Sequence, residues 1–502
     1  MAAGAALSDV GQKVLLLEQH HTLGGLTHSF SREGFSWDVG IHYLSYVAPG
    51  ERVRHLLDWL CDTPIEFVSL GSVYDIVHIG EAEPLPLSRP YEAQEMDLKA
   101  CFPDDSEAIE AWIVALREGR EAMLKIFPTR AMPELGGDIL DWWNRNAIAK
   151  WCARTTKEVI DDLTDNPELA AVMAAQWGDH GGRPSKASFA MHALIAASYL
   201  KSGSWYPVGG SSVFAQHIIP TITKNGGEAR AGVRTESLLF DGSTVVGVRT
   251  DDGTEIKAKN VISNIGARET IYTFLADIDL PEIEDLEGWK EEIRSLPSSI
   301  AHYSLFLGFE GDIEAAGATV ANHWIYPTQD VDVIWKTAPD GPPPGMVAAF
   351  GSLKDPLHDP GPRQRHSGQF LVWADWEAIS PWAEKPVGDR GEDYADFKRR
   401  IKATLMAQFE RYFPELAKLV VYRELATPLS MIAITKHREG AFYGLDVTPD
   451  RVMCDALRAQ TPIPGLYLSG QDVASPGVPG ALWGGVLSAA SIDPRVFKKF
   501  RQ

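Results

Sequence analysis

The sequence predicts an α/β protein in which a parallel, nucleotide-binding type of sheet, incomplete at its N-terminal end, carries an inserted α+β region. Three observations support this prediction. A helix pattern, a short apolar strand and an acidic residue follow one another at the start of the chain. A second apolar strand near the end is followed by an acidic turn and a glycine-rich helix. Between them the hydrophobic period changes from helical to β-like, and 502 residues are enough for two cores.

The N-terminal segment is typical of the second half of a nucleotide-binding βαβ unit. "MAAGAALSDVG" resembles the last turns of a helix that ends at Gly11, and "KVLLLEQ" suits a buried parallel strand. Glu18 closes this strand, where a carboxylate can accept hydrogen bonds from both hydroxyls of a ribose. Gly24 and Gly25 follow at a distance that lets backbone amides approach a pyrophosphate. An exposed acid and a plain tight turn are the alternatives.

Residues from about 50 to 204 are mostly helical in pattern. In "DILDWWNRNAIAKW", four-residue steps place Ile139, Trp143, Ala147 and Trp151 on one helical face. Core packing is the favoured interpretation of this face. The alternative is a surface that touches lipid, because tryptophan suits a boundary that is apolar on one side and wet on the other.

From Gly227 the period becomes two, which predicts strands. "STVVGVRTDDGTEIKAKNVISN" alternates on both sides of Asp252-Gly253, a hairpin signal, and "VISN" is predicted to return to the first sheet. "AHYSLFLGF" and "GQFLVWADW" predict a second sheet, with "DGPPPG" as a loop between its strands. "DFKRRIKATLMAQFERYFPEL" predicts a long amphipathic helix.

The C-terminal segment "LYLSGQDVASPGVPGALWGG" predicts a strand, a glycine turn at Gly470 and a helix that starts near Val478 to Gly480. Asp472 is expected to project beyond the strand, where a carboxylate can accept hydrogen bonds from ribityl hydroxyls. The positive N-terminal end of the helix would stabilise the negative charge of a reduced flavin. Glycines 480, 484 and 485 allow close packing of the helix, and a ligand-free glycine-rich helix is the alternative.

Composition excludes several classes of partner. A net charge of -21 and an isoelectric point near 5.1 disfavour nucleic acid and electrostatic docking on anionic lipid, but they leave apolar docking on a membrane open. Four scattered cysteines form no CxxC pair, so we expect no metal site and a reducing compartment. No signal peptide or membrane-spanning run is evident. We therefore expect a cytoplasmic protein, with peripheral membrane contact as a variant of that expectation.

Three blocks carry a resemblance to a known family: "VLLLEQHHTLGGLTHSFSREGFSWDVGIHYLS", "ASFAMHALIAASYLKSGSWYPVGGSSVFAQHIIPTITKNGGE" and "PIPGLYLSGQDVASPGVPGALWGGVLSAA". They resemble the phytoene desaturase-related flavoproteins, and within them the carotenoid isomerase and retinol saturase branch. The resemblance runs with gaps over nearly the whole chain. It implies a glutathione reductase-type FAD-binding domain and an inserted substrate domain for long polyene or isoprenoid lipids.

The resemblance also implies domain bounds. The discontinuous FAD-binding domain would comprise residues 1–75, 205–295 and 420–502, and the substrate-binding domain residues 76–204 and 296–419.

The family's cofactor contacts are carried over by motif. Glu18 would bind the adenosine ribose, the glycine pair the diphosphate, and the "AGVRTES" segment the adenine. "DVGIH" would lie beside the flavin ring, and the acidic turn near the C-terminus would hold the ribityl chain. The residues implied to bind FAD are Glu18, Gly24, Gly25, Gly40, Ile41, Val233, Gly470, Asp472, Val478, Pro479 and Gly480.

Two departures from the family pattern matter. Many relatives have arginine after the paired glycines, where this chain has Leu26. The family also has a strand and a GxGxxG loop before a helix like "MAAGAALS", and the sequence contains no GxGxxG. The favoured interpretation is a mis-assigned start codon or a shortened chain, and the alternative is a divergent protein that has lost tight FAD binding. Losing two or three amide hydrogen bonds of about 1.5–3 kcal/mol each predicts weak FAD binding or none.

The predicted activity is that of an FAD-dependent oxidoreductase that saturates or desaturates C=C bonds of a carotenoid- or retinoid-like polyene by hydride transfer through flavin N5. The alternatives are a reduced-flavin cis/trans isomerase and a flavin-free lipid-binding protein. His42 and His192 are the candidate catalytic residues, as pocket residues or a proton donor. Lys354 and Asp355 are candidate substrate-domain contacts, with a loop salt pair as the favoured alternative. No second nucleotide fingerprint appears, so NAD(P)H would have to visit the flavin, or another donor must serve.

Overall fold

The computed structural model describes residues 1–131, 142–336, 338 and 340–500. Its strands are β1 (Leu15–Glu18), β2 (Ser29–Arg32), β3 (Phe35–Asp38), β4 (Phe67–Ser69), β5 (Val73–Ile79), β6 (Leu85–Ser88), β7 (Trp205–Pro207), β8 (Glu228–Ala231), β9 (Thr235–Asp241), β10 (Thr244–Thr250), β11 (Glu255–Lys257), β12 (Val261–Ser263), β13 (Ala301–Glu310), β14 (Asn322–Tyr326), β15 (Met346–Ala349), β16 (Arg365–Ala374), β17 (Val420–Ala426) and β18 (Leu466–Leu468). The α-helices with both ends among the described residues are Ala2–Asp9, Arg52–Leu60, Tyr91–Cys101, Ser106–Ile126, Thr156–Asp161, Pro167–Ala174, Phe189–Ser202, Val213–Lys224, Ala267–Thr270, Leu286–Ser295, Glu392–Tyr412, Pro414–Ala417, Pro428–Thr435, Pro449–Met453, Gly477–Ile492 and Arg495–Phe500.

The predicted parallel sheet is present as two half-sheets. Strand β1 pairs in parallel with β8, and β12 pairs in parallel with β18, so "VISN" joins the C-terminal strand rather than β1. Leu16 and Ile262 pack into one hydrophobic core, while Leu17 and Val261 pack into the core on the opposite side. Because alternate residues of a strand face opposite sides, the shared cores place the two half-sheets in one layer.

Helices cover one side of this layer. The helix Ala2–Asp9 packs between the helices Val213–Lys224 and Gly477–Ile492, and small residues allow the close approach. A Cβ added at Gly485 would lie 2.8 Å from the Cβ of Ala2. The predicted N-terminal helix, the strand "KVLLLEQ" and the C-terminal strand and helix are therefore all confirmed.

The second sheet has seven strands in the order β17-β13-β16-β15-β14-β5-β6, with the β14–β5 pair parallel. One face packs against the predicted long amphipathic helix, Glu392–Tyr412. The sheet and the helix contact each other through apolar side chains, which come from alternate positions of β13 and from four-residue steps of the helix. They are Tyr303, Leu305, Leu307 and Phe309 of β13 and Phe397, Ile401, Leu405 and Phe409 of the helix.

The other face of the seven-stranded sheet packs against the helices between Tyr91 and Ser202 and against the β2–β3 hairpin. Trp324 and Trp373 belong to the helical core on this side, and Phe306 packs on the hairpin. The strand pairing places Asp75, Asn322 and Gln369 on this same face. We call this the inner face of the sheet. Its polar residues lie between the seven-stranded sheet and the helices and hairpin that cover it.

The predicted domain bounds differ from the strand pairing at two places. The boundary at 75/76 falls inside β5, and the boundary at 419/420 assigns β17 to the FAD-binding part. Both strands pair within the seven-stranded sheet. The sequence could not show which sheet β5 and β17 join, because the local pattern of a strand carries no information on its distant partners.

The Asp252-Gly253 hairpin is confirmed by the antiparallel β10–β11 pair, but the tryptophan face is not. Trp143 is 75% exposed, whereas Trp151 is 8% exposed; Ile139 lies outside the described residues. A π-helix at Ile148–Cys152 adds a residue to the turn, so the four-residue steps no longer share a face. None of the helices in the described ranges is both long and apolar enough to cross a membrane.

Candidate functional site

The first element of the site is the end of β1. Glu18 Oε1 accepts a hydrogen bond of 2.8 Å from the amide of His20, and the amide of Val233 donates to the Glu18 carbonyl oxygen at 2.9 Å. The structure thus brings together Glu18 and Val233, the two residues expected at the adenosine. A carboxylate accepts up to about four hydrogen bonds, so the bond from His20 leaves capacity for a ribose.

The glycine pair forms a turn immediately after this strand. Gly24 and Gly25 have φ values of 120° and 58°, and no atom lies within 4 Å of the position that a Cβ of Gly25 would occupy. The backbone is therefore approachable at Gly25. A Cβ at Gly40 would lie 3.0 Å from the carbonyl oxygen of Leu26, so the turn packs directly on the "DVGIH" segment.

Asp472 lies buried behind the C-terminal turn instead of projecting from it. It is 4% exposed, and its two oxygens accept hydrogen bonds from the amides of Ala267 at 2.8 Å and Leu445 at 3.2 Å. These bonds join two loops to the turn that begins at Gly470. Each carboxylate oxygen can accept one further hydrogen bond, so a role toward a hydroxyl remains compatible with this position.

The helix Gly477–Ile492 lies against the same turn through its glycines. A Cβ at Gly480 would lie 1.8 Å from the Ser475 carbonyl oxygen, and a Cβ at Gly484 would lie 2.0 Å from the Gly470 carbonyl oxygen. The predicted close packing of this helix is confirmed. Val478, Pro479 and Gly480 lie in its first turn, where the aligned peptide dipoles give a positive potential, although Pro479 has no amide hydrogen and the Gly477 amide donates to Gln471 Oε1 at 3.4 Å.

The two acidic ends of the site are connected through the N-terminal helix. Gly485 contacts Ala2, and the negative charge of Glu18 raises the pKa of the amino group of Met1, although burial lowers that pKa more strongly. The charge of Glu18 therefore acts on Met1, the residue before this helix, whose first residue packs on the C-terminal helix. The arrangement is compatible with one extended ligand that spans both ends.

The segment Trp37–Tyr43 crosses the inner face of the seven-stranded sheet. The Trp37 indole donates to the carbonyl oxygens of Leu307 at 3.1 Å and Gly368 at 3.2 Å. Gln369 Nε2 donates to the Asp38 carbonyl oxygen at 2.5 Å. These bonds fix the backbone that contains Gly40 and Ile41, so its position does not depend on a mobile loop.

Lys354 is a further anchor of this segment, and the predicted salt pair with Asp355 is wrong. Lys354 is 2% exposed, and its Nζ donates to the His42 carbonyl oxygen at 3.0 Å and to Asn322 Oδ1 at 2.5 Å. Asp355 instead accepts a 3.0 Å hydrogen bond from the amide of Gly209. Burial lowers the pKa of Lys354 to about 7.

Asp38 joins the two most specific sequence blocks, a role that sequence reasoning missed. Its Oδ1 accepts hydrogen bonds from Ser29 Oγ at 2.6 Å and from the amide of Ser211 at 3.0 Å. The Tyr206 hydroxyl donates to Oδ2. "DVGIH" and "YPVGGSS" are therefore held against each other by one carboxylate.

Buried polar atoms without partners lie beside Gly40 to His42. His302 Nδ1 and Gln369 Oε1 have no hydrogen-bond partner among the residues that the structure describes. Phe442 lies between His302 and Gly40. The centre of its ring is 4.6 Å from that of the His302 ring, and its Cζ is 3.6 Å from the position that a Cβ of Gly40 would occupy. Because an uncompensated buried polar atom is costly, these atoms fit a ring that carries nitrogen and oxygen at its edge. The residues present thus fit FAD.

The two candidate catalytic histidines lie in different surroundings. Burial, helped by the charge of Lys354, lowers the pKa of His42 to about 3, so its imidazole is neutral at neutral pH. His192 is 1% exposed in the helix Phe189–Ser202, and its Nδ1 lies 3.1 Å from Nε2 of His180. Burial lowers the pKa of His192 to about 4. Neither imidazole is therefore in its cationic form at neutral pH, which disfavours both as the proton donor that the sequence suggested.

Comparison with known proteins identifies the family. The family model for flavin containing amine oxidoreductases matches residues 1–357. The chain is 30% identical to the all-trans-retinol 13,14-reductase of Danio rerio over 98% of this chain and 84% of that protein. It is 21% identical to the chloroplastic prolycopene isomerase of Daucus carota over 95% of this chain and 75% of that protein.

Solved structures agree on the fold. An oxidoreductase from Methanosarcina mazei superposes with a TM-score of 0.67 at 16% identity and covers 96% of both chains. The predicted fold class and the resemblance to the retinol saturase and carotenoid isomerase branch are therefore confirmed. The chain belongs to the flavin containing amine oxidoreductase family and is an FAD-dependent oxidoreductase.

Proposed function

We propose that this chain adds hydrogen across a C=C bond of a long apolar polyene of the retinoid or carotenoid type. The observation that supports this most directly is the 30% identity, over 98% of the chain, to a protein named all-trans-retinol 13,14-reductase. The 21% identity to a prolycopene isomerase makes cis/trans isomerisation the second candidate. Both candidates need the same class of apolar substrate.

FAD, when bound, supplies hydride transfer at its N5. The chain's own residues bind and position it: Glu18 and Val233 at the adenosine end, and the Asp472 turn with the following helix at the other end. His302, Gln369 and Phe442 are buried beside Gly40 to His42, and Ile41 is buried with them. A dry, fixed pocket is what addition to an unactivated alkene requires of the protein.

The reductant is proposed to act from outside the chain. The sequence has no second nucleotide fingerprint, so NAD(P)H would visit the flavin face, or another donor of electrons would replace it. The assay contains free FAD in excess, so that its outcome does not depend on the affinity of the chain for FAD.

Product mass distinguishes the candidate reactions. The protein is incubated under anaerobic conditions with FAD and with either NADPH or dithionite as the reductant. One sample contains all-trans-retinol, and a parallel sample contains a cis carotenoid. Saturation yields a product heavier by two hydrogen atoms, desaturation a product lighter by two, and isomerisation a new isomer of unchanged mass. A sample without FAD is the control. If only unchanged mass is seen with both polyenes, the proposed saturation is wrong.

Peripheral contact with a membrane is part of the proposal, in a cytoplasmic setting. Trp142 and Trp143 are adjacent and are 62% and 75% exposed. Two exposed indoles suit the interface between water and lipid, where an apolar substrate would be taken up. The net charge of -21 favours neutral over anionic lipid.

A further inference from the structure

Two acidic side chains meet at one phenol beside the segment Trp37–Tyr43. The Tyr43 hydroxyl lies 2.9 Å from Asp75 Oδ2 and 3.1 Å from Asp179 Oδ2. Gln176 Nε2 donates to the same Asp75 Oδ2 at 2.8 Å. Asp75 is fully buried, whereas Asp179 keeps accessible surface. We call Asp75 and Asp179 the carboxyl pair.

Counting hydrogens shows that the carboxyl pair holds a proton. A phenol has one hydrogen, so Tyr43 can donate to only one of the two carboxylates. Asp75 Oδ2 already accepts from Gln176. Whichever carboxyl accepts the phenol hydrogen, the contact between Tyr43 and the other carboxyl needs a hydrogen on that carboxyl. Without it, two oxygen atoms would face each other at 2.9 or 3.1 Å with no donor between them.

The surroundings of the carboxyl pair agree with one shared proton. Burial raises the pKa of Asp75, and the charge of Asp179 raises it further. Burial also raises the pKa of Asp179, to about 7. Lys354 is the basic side chain that faces the pair, and its Nζ donates to the His42 carbonyl oxygen and to Asn322 Oδ1. The other polar groups that face the pair are Tyr43, Tyr74, Gln176, Tyr199, Trp324, Tyr326 and Tyr443.

The histidines around the site cannot take this role. Burial lowers the pKa of His302 and His192 to about 4 and that of His42 to about 3, so each is neutral at neutral pH. Trp324 faces Asp75, and a hydrogen bond from its indole opposes the rise in the pKa of Asp75. The carboxyl pair therefore combines a held proton, accessible surface at Asp179 and a contact with Tyr43, the residue that follows His42 in the chain.

We propose that the carboxyl pair, bridged by Tyr43, stores one proton and donates it to the substrate carbon that does not receive the hydride. This inference rests on the proposed saturation of a C=C bond. Saturation breaks the π bond and forms two C–H bonds; the hydride and its two electrons come from the reduced flavin, which is oxidised as the alkene is reduced. The O–H bond of the carboxyl breaks as the second C–H bond forms. The pair then takes up a proton from water through Asp179.

Infrared spectroscopy tests the stored proton without any cofactor. At about pH 7.5, the wild type should show the C=O band of one protonated carboxyl, with a shift in D₂O. The double variant Asp75→Asn/Asp179→Asn should lack this band. Asp493→Asn is the matched control, because Asp493 is also buried but is held ionised by Arg495, which keeps its pKa well below the usual range. No band in the wild type, or a band that survives in the double variant, overturns the inference.

Tyr43→Phe provides a second variant that keeps the size of the side chain. It removes the bridging hydroxyl, so the carboxyl C=O band should shift in frequency because its hydrogen-bond partner is lost. A band at the wild-type frequency in this variant would show that Tyr43 does not bridge the pair. This result would overturn the proposal even if the double variant fails to fold.

Turnover tests the donation step separately. With excess FAD, dithionite and all-trans-retinol, the double variant should saturate retinol about 10²-fold more slowly than the wild type, the usual contribution of a general acid. The rate of flavin reduction by dithionite should not change, and Asp493→Asn should match the wild type in both rates. Saturation within about threefold of wild type in the double variant excludes donation by the pair. If the wild type shows the infrared band but does not saturate retinol, the proposed function fails and the stored proton stands.

Discussion

Replacing Gly484 with alanine tests whether the C-terminal helix must touch the turn that leads to Asp472. An added Cβ would lie 2.0 Å from the Gly470 carbonyl oxygen, 2.8 Å from its carbonyl carbon and 3.0 Å from its nitrogen. All three are backbone atoms, so no side-chain rotation relieves the overlap and the helix must move away. Overpacking costs about 1–3 kcal/mol, and alanine returns about 1 kcal/mol of helix propensity. With an overlap this severe, we expect a net loss of about 2 kcal/mol.

The free energy of unfolding is measured by equilibrium denaturation, with and without added FAD. Gly351→Ala is the matched control, because nothing lies within 4 Å of the Cβ position at Gly351, and its stability should stay within about 0.5 kcal/mol of wild type. Since the turn would be displaced, FAD should also stabilise Gly484→Ala less than it stabilises the control. A Gly484→Ala protein as stable as wild type would show that the helix does not need this contact.

Three further changes have defined outcomes. Glu18→Gln should weaken FAD binding by about tenfold or more, because a hydrogen bond to a charged group contributes about 1.5–3 kcal/mol. Binding is followed by flavin fluorescence, and Glu228→Gln on the neighbouring strand is the control that should have no effect. Equal affinities of the two variants would exclude Glu18 as a ligand. Burial lowers the pKa of Lys354 from 10.5 to about 7, so between these pH values the unfolded chain holds this proton and the folded chain does not. Lys354 alone should therefore add a rise in stability of up to about 1.4 kcal/mol per pH unit, against the opposite slope from the proton that burial holds on Asp75. Lys354→Met should lose that slope while Lys385→Met keeps it, and identical slopes in all three proteins would contradict a buried amine. Trp142→Ser/Trp143→Ser should reduce sedimentation with neutral vesicles relative to Leu357→Ser, a similarly exposed apolar site, and an unchanged fraction would argue against a membrane face there.

Local chemistry made much of the fold predictable. The Asp252-Gly253 turn between alternating segments specifies a hairpin wherever it occurs, and β10 and β11 form it. Glycine after the first helix and an acid after the first strand likewise reflect requirements of the local backbone. The glycines of the C-terminal helix predicted a close approach, although only the structure identifies the Gly470 turn as the contacting surface.

Features that depend on distant residues were not predictable. Lys354 and Asp355 are adjacent in sequence, which favours a salt pair, but neighbouring side chains point in different directions and these two bind segments far apart in the chain. Asp75 had a usable signal, an acid inside the apolar strand "SVYDIVHIG", which should indicate a compensated buried charge. Its partner Asp179 had none, because the contact spans more than a hundred residues and passes through Tyr43.

The polar residues on the inner face of the seven-stranded sheet are better explained by proton handling than by stability. Removing Asp75, Asp179 and Lys354 from water has a free-energy cost that their mutual attraction offsets only in part, and well-packed apolar replacements of buried charges are often neutral or stabilising. The opposite face of the same sheet shows this alternative, because Leu305 and Leu307 belong to an apolar core there. A fold that needed only stability could use such residues on both faces. The carboxyl pair and Lys354 instead lie on the face that contacts the segment Trp37–Tyr43, where a held proton can take part in the reaction.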